Sequence, residues 1–252
     1  MNKKNLKSLQ SLKLRKYRYD YKKFLIEGKR LVQAAVEHNY PIDQIYCTKA
    51  FLRKNKEWVV LNIINTENIN ILSETDLKKI SNTISPSGVS AVCKIKINEL
   101  INFNRARWIY LDEIKDPGNL GAILRSAAWF NLSNIAISPK CVDIYNPKVI
   151  RSAMGSQFAL AIHRDVELDT FKETHTIIAS SLEGESLDGF KFPDRFVLVF
   201  SNEAHGLNES RKSYVNSFVN ITRSGSGESL NVSNAASIIM YATSQFFSAG
   251  TT

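Results

Sequence analysis

From residue 108 onward, five short apolar runs recur: WIYLDEI (108–114), NIAIS (134–138), TIIASS (176–181), FVLVF (196–200) and FVNIT (218–222). Runs of four to eight apolar residues that do not alternate with polar ones are the mark of strands buried on both faces of a parallel sheet. Between them lie segments with helical spacing, LGAILRSAAWF (120–130), PKVIRSAMG (147–155) and LDTFKETH (168–175), and a last helix is expected from about 231 to 247. This alternation predicts an α/β fold with a parallel, doubly wound sheet, whose ligand sites fall at the carboxyl ends of the strands.

The first hundred residues read as a smaller α/β unit. EGKRLVQAAVEH (27–38) has helical spacing, QIYCT (44–48) is strand-like, SETDLKKI (73–80) is a helix capped by Ser73, and GVSAVCKIKI (88–97) alternates like a strand. The polar stretch NELINFNRAR (98–107) separates the halves, so the expected domains are 1–104 and 105–252.

Charge divides the chain in the same way. Residues 1–30 carry eleven Lys or Arg against Asp20 and Glu27, a balance of +9 that equals the net charge of the whole protein. The cations are interleaved with Tyr17, Tyr19 and Tyr21. Cations beside stackable rings suit a phosphate backbone with exposed bases, which makes Lys13, Arg15, Lys16, Arg18, Lys22 and Lys23 the candidate nucleic-acid-binding residues. The three cysteines and four histidines are scattered without ligand spacing, so no metal site is expected. No apolar run approaches the length of a membrane helix and the N-terminus has no secretory pattern, so the expected location is the cytoplasm, away from membranes.

Three stretches carry chemistry, each at the end of an expected strand. In LDEIKDPGNLGAILRSAAWF (111–130), Asp116-Pro117-Gly118-Asn119 starts a helix, and Arg125 lies off its apolar stripe, about 140° round from Leu120 at about 100° per residue. In FVLVFSNEAHGL (196–207), Glu203 follows directly on an apolar strand. In GESLNVSNAASIIMYA (227–242), Ser229, Asn231, Ser233 and Asn234 crowd the start of an apolar helix, where one cap residue would satisfy the free N–H groups. The surplus points to a ligand. No GxxxxGK[ST], GxSxG or GxGxxG pattern is present, which excludes the common nucleotide-triphosphate, serine-hydrolase and dinucleotide sites.

In this order and at these distances, DPGNLGAILRSA, SNEAHGL and SLNVSNAA resemble the three motifs of the SpoU/TrmH family of RNA ribose 2′-O-methyltransferases, within the SPOUT superfamily. FLIEGKRLV and SPSGVSAVCK are similar to the ribosomal-protein-like substrate-binding domain that often precedes it. The resemblance implies a C-terminal SPOUT domain with a trefoil knot, a homodimer, S-adenosylmethionine as cofactor, and structured RNA, ribosomal or transfer, as substrate. By motif, Asn119, Arg125, Glu203, Ser229 and Asn231 are the implied catalytic or RNA-orienting residues. Ser201, Gly206, Ile221 and Leu230 are the implied cofactor-binding ones.

A guanidinium stays protonated, so Arg125 suits stabilising a developing alkoxide and gripping phosphate better than removing a proton, with Glu203 holding Arg125 or Asn119 in place. The chain departs from the family at SNEAHGL, where GNEGxGL is usual, and at Ile221-Thr222-Arg223, where IPM is usual. A Cβ at Ser201 or Ala204 would strain a left-handed backbone or crowd the adenosine. The alternative that follows is a non-catalytic RNA-binding protein that kept the fold and lost the cofactor.

Overall fold

The computed structural model describes residues 3–63, 69–97, 99–202 and 206–249. In chain order the elements are α1 (Lys3–Ser11), α2 (Arg15–Tyr21), β1 (Lys23–Glu27), α3 (Lys29–Glu37), β2 (Ile42–Thr48), α4 (Lys49–Lys54), α5 (Lys56–Asn62), β3 (Ile69–Leu72), α6 (Glu74–Ile80) and β4 (Val89–Lys94). They continue with β5 (Arg107–Asp112), α7 (Pro117–Trp129), β6 (Asn134–Ile137), α8 (Pro147–Ala153), β7 (Ala161–Arg164), β8 (Thr176–Ser186), β9 (Phe196–Ser201), α9 (Glu209–Lys212), β10 (Ser217–Asn220) and α10 (Val232–Ala249). Two compact units result, one of residues 1–97 with 143–158, the other of 98–142 with 159–252.

The first unit holds a four-stranded sheet in the order β1-β4-β2-β3, antiparallel except where β2 runs parallel to β3. The basic arm is part of it. Leu9 and Leu12 are buried in a cluster with Leu25, Tyr46, Leu72 and Val92, and Leu6 packs against that cluster. Leucines at this spacing give α1 an apolar stripe, and the lysines keep the opposite face. The expected helix from residue 27 begins later. Leu25 and Ile26 are buried in β1, Gly28 turns the chain at φ 98°, and α3 follows. Ser73 caps α6 as expected, its hydroxyl accepting from the Asp76 N–H at 3.1 Å.

Residues 143–158 pack with this unit through Tyr145, whose ring lies 4.6 Å from that of Phe24, and Phe158, 4.7 Å from Tyr40. Gly155 sits at φ 97°, and a Cβ on it would stand 2.6 Å from the Cβ of Ala34. Gly155→Ala should therefore destabilise this unit by about 2–3 kcal/mol through overpacking and left-handed strain, read as a lowered denaturation midpoint with an unchanged m-value.

The second unit is a parallel six-stranded sheet in the order β10-β8-β9-β5-β6-β7. Its core gathers Trp108, Tyr110, Ile177, Val197 and Val199 from the middle strands, with Phe171 packed among them. The segment LDTFKETH is a single 3-10 turn, Leu168–Phe171, in which Leu168 and Phe171, three residues apart, fall on one side and are buried while Asp169 and Thr170 face out. Among the described residues no helix is long and apolar enough to cross a membrane, and no group of three His, Cys, Asp or Glu is placed to hold a metal.

Candidate active site

The central strands β5 and β9 run side by side, with Asp112 opposite Ser201 at their carboxyl ends. The chain leaves both ends on the same side. The N–H of Asn202 donates to the Asp112 carbonyl at 3.1 Å, and its side-chain amide donates to the Glu113 carbonyl at 3.3 Å. Gly206 then turns back at φ 61°, its N–H donating to the Asn202 carbonyl at 2.9 Å. Ser201 retains strand geometry as the last residue of β9 and has no positive φ, so its Cβ carries no left-handed strain. Glu203 and Ala204 lie outside the described residues.

From β5 the turn runs through Lys115 to α7. The Asp116 carboxylate caps the helix by accepting the Asn119 N–H at 2.8 Å, and Pro117 occupies the first turn, where its missing N–H costs nothing. The buried stripe is Leu120, Ile123, Leu124 and Ala127, and Arg125 is exposed as its position off that stripe requires. Arg125 makes no hydrogen bond or ion pair to a described residue.

The start of α10 arrives at the same place. The Asn231 side-chain oxygen accepts the Ser233 N–H at 2.9 Å and the Ser233 hydroxyl at 2.6 Å, which is ordinary capping. Its amide donates to the Asn119 side-chain oxygen at 3.0 Å, across 112 positions of sequence. Deeper, α10 and α7 join through the Ser126 and Ser237 hydroxyls, 2.7 Å apart. Asn231→Ala should cost about 1–2 kcal/mol of stability, because it removes the cap and the bond to Asn119, and thermal unfolding measures it.

The remaining motif residues lie in the coil between β10 and α10. Ile221 is half-buried just after β10, and Ser229 and Leu230 are exposed in the coil before α10. In that coil the Thr222 hydroxyl lies 2.9 Å from that of Ser186, and Arg223 donates to the Gly227 carbonyl at 2.6 Å. The unusual Thr222 and Arg223 thus brace the loop. Among the described residues, a Cβ on Gly206, Gly225 or Gly227 would meet nothing within 4 Å, so no described side chain crowds the backbone at these turns.

The basic candidates divide. Arg15, Lys16 and Lys22 are exposed, the first two beside the rings of Tyr19 and Tyr17. Lys13 donates to the carbonyls of Lys79 and Ser81, and Lys23 pairs with Asp43 at 2.7 Å. Arg18 is a correction. Its side chain is 3% exposed and bound to Asp143, so it is structural and cannot reach a phosphate. Sequence reading also passed over Arg151 and Gln157. Arg151 Nη1 and both amide atoms of Gln157 are buried without a hydrogen-bond partner among the described residues, a cost that only a structure reveals.

With this geometry in view, comparison with known proteins places the chain. The model of the SpoU rRNA Methylase family matches residues 106–241, and that of the MRM3-like substrate binding domain matches residues 3–91. The chain is 28% identical over 243 residues to the 23S rRNA (guanosine(2553)-2′-O)-methyltransferase RlmP of Bacillus subtilis, covering 94% of each. It is 27% identical over 234 residues to the 23S rRNA (uridine(2479)-2′-O)-methyltransferase of Streptomyces viridochromogenes, covering 86% of this chain and 81% of that one. Among solved structures, a putative TrmH-family RNA methyltransferase from Porphyromonas gingivalis superposes with a TM-score of 0.84 at 27% identity, over 96% of this chain and 97% of that one. The fold of the S. viridochromogenes methyltransferase AviRb with AdoMet also superposes, with a TM-score of 0.84 at 24% identity, over 97% and 98% of the two chains. A matched model spanning more than half of the sequence, on a sheet and motif arrangement of this kind, decides the assignment: the chain belongs to the SpoU rRNA methylase family.

Proposed function

We propose that this protein transfers a methyl group from S-adenosylmethionine to a ribose 2′-hydroxyl of structured ribosomal RNA. The observation that carries the reading is the hydrogen bond between Asn119 and Asn231, which joins the first and third motifs at the carboxyl end of the parallel sheet. The 23S rRNA 2′-O-methyltransferases that align over nearly the whole chain supply the substrate class.

The open backbone turns at Gly206 and in the coil from Ile221 to Leu230, beside Ser201, fit an adenosine-bearing ligand, which needs main-chain donors and acceptors without crowding side chains. When bound, the cofactor supplies a sulfonium methyl. The chain's own groups do the rest. Asn119 and Asn231, each able to donate and accept, orient the ribose, and Ser229 stands beside them in the same coil. Arg125 holds the adjacent phosphate and stabilises the alkoxide as the hydroxyl proton leaves to phosphate or solvent. Glu203 restrains Arg125 or Asn119.

Residues 105–252 form the methyltransferase domain in this reading, and residues 1–104 deliver RNA. The chain leaves β10 at one edge of the sheet and returns to Asn119 beside β5, which supports a knotted crossing. Exposed Trp129, Ile238 and Tyr241, on the joined faces of α7 and α10, support a homodimer. A cytoplasmic location is part of the same proposal, supported by the bacterial 23S rRNA methyltransferases that align over most of the chain.

RNA binding through the exposed cations should be salt-dependent. Replacing Arg15 and Lys16 by glutamine should reduce the slope of log affinity against log salt by about 1.5, at about 0.7–0.9 per phosphate contact, measured by filter binding across a salt series. Calorimetric titration with S-adenosylmethionine tests the enzyme reading itself. Binding near micromolar is expected, about −8 kcal/mol, whereas a non-catalytic RNA-binding protein would give no heat of binding.

A further inference from the structure

We propose that Arg211 is a positioning residue that ties the turn entering α7 to the loop leaving β9, and so sets the distance between the first two motifs. Arg211 lies on α9, where Asn208 caps the helix by accepting the Arg211 N–H at 2.9 Å. Its side chain is 13% exposed and faces three carboxylates. Nη1 lies 2.9 Å from Asp112 Oδ1, an ion-pair contact outside hydrogen-bond alignment, and donates to Glu113 Oε1 at 3.2 Å. Nη2 donates to Glu167 Oε2 at 3.1 Å.

The carboxylates of Asp112, the last residue of β5, and of Glu113 just after it sit where both motifs attach. The backbone carbonyls of Asp112 and Glu113 are the acceptors that hold Asn202. Glu113 adopts φ 48°, a left-handed conformation rare outside glycine, with its N–H donating to the Ser138 hydroxyl at 2.8 Å. Three residues later comes Asp116, the cap of Asn119. A shift at 112–113 therefore disturbs both Asn202 and the turn that leads to Asn119. Lys115 and Lys140 also approach Glu113, each at 3.6 Å, but neither pairs with Asp112. Asp112 is 4% exposed, and burial pushes its carboxyl up against the opposing pull of Arg211. The planar fork spans three carboxylates on two segments, residues 112–113 and Glu167, which a lysine's single ammonium cannot do.

The catalytic consequence rests on the methyltransferase reading, but the clamp itself does not. Hydrogen–deuterium exchange on the full chain decides it for Arg211→Gln and, in case that variant does not fold, Arg211→Lys. Segments 111–119 and 198–202 are expected to exchange at least about tenfold faster together, with β6 and the first unit unchanged. Asp112→Asn combined with Arg211→Gln should recover part of the protection, because the unpaired buried carboxylate is gone. On rRNA, kcat should fall at least about tenfold with KM for RNA unchanged. Unchanged exchange in either segment, or equal acceleration throughout the second unit, would overturn the proposal. A parent protein without S-adenosylmethionine affinity would sink the methyltransferase reading alone, and the exchange result would still decide the clamp.

Discussion

Replacing Arg125 by lysine should lower methyl transfer to rRNA by about 100-fold or more, the range for losing one donor to a developing oxyanion, while S-adenosylmethionine affinity changes by less than about twofold. Both expectations follow from the same placement. Arg125 projects from α7 on the side away from Leu120, Ile123 and Leu124, so its replacement disturbs no packing. It has no described partner whose loss could loosen the cofactor loops. What the substitution removes is a planar fork that can hold a phosphate with one edge and a ribose oxygen with the other, and lysine keeps the charge without that geometry. Single-turnover methylation and calorimetry on the same preparation separate the two effects. Turnover equal to that of the parent would remove Arg125 from the chemistry.

The largest expected effect on stability lies in the first unit. Arg18→Leu should destabilise the first unit by about 3–5 kcal/mol, because it leaves the Asp143 carboxylate buried without its countercharge. The pair is a dense knot of contacts. Arg18 donates to Asp143 Oδ2 from Nε at 3.0 Å and from Nη2 at 2.5 Å, and from Nη1 to the carbonyls of Leu12 and Lys13. The Tyr19 hydroxyl and the Tyr145 N–H complete Asp143 through Oδ1, both at 3.0 Å. Arg18 thereby closes the α1–α2 turn and fastens the segment from residue 143 to it. Replacing both partners, Arg18→Leu with Asp143→Leu, should recover most of the loss, since the burial penalty falls on the unpaired ion. Thermal unfolding of the single and double variants measures this coupling directly.

Arg18 also shows where sequence reading reaches its limit. Its composition and neighbours are those of an RNA-binding arm, and its partner lies 125 positions away, so nothing local distinguishes it from Arg15 or Lys16. The arm's helices were hidden for a related reason: lysine density outweighed the leucines at 6, 9 and 12, whose spacing is that of a buried stripe. Elements with strong local chemistry were legible. The Asp116-Pro117 start of α7, the Ser73 cap, the FVLVF strand and the apolar α10 all lie within a residue or a few of their expected places. Short elements such as β7 and the 3-10 turn at Leu168 carry too few residues for periodicity to assign them, and packing against the sheet decides their form.

The motifs likewise identified residues but not their meeting. Asn231 could be read as a surplus cap, whereas its bond to Asn119 depends on how the chain returns from the sheet edge. Arg211 gave no signal at all in sequence, because a lone arginine in NESRK reads as a solvated charge. Its three carboxylates come from the end of β5 and from Glu167, near in space only.

The central claim is most directly tested by incubating the purified protein with S-adenosylmethionine carrying a labelled methyl group and unmodified 23S rRNA, then locating the label by nuclease digestion and mass analysis. The account predicts label on the 2′-oxygen of ribose at one site, dependent on Asn119 and Arg125. Label on a base, or none on any rRNA while the protein remains folded, would contradict it.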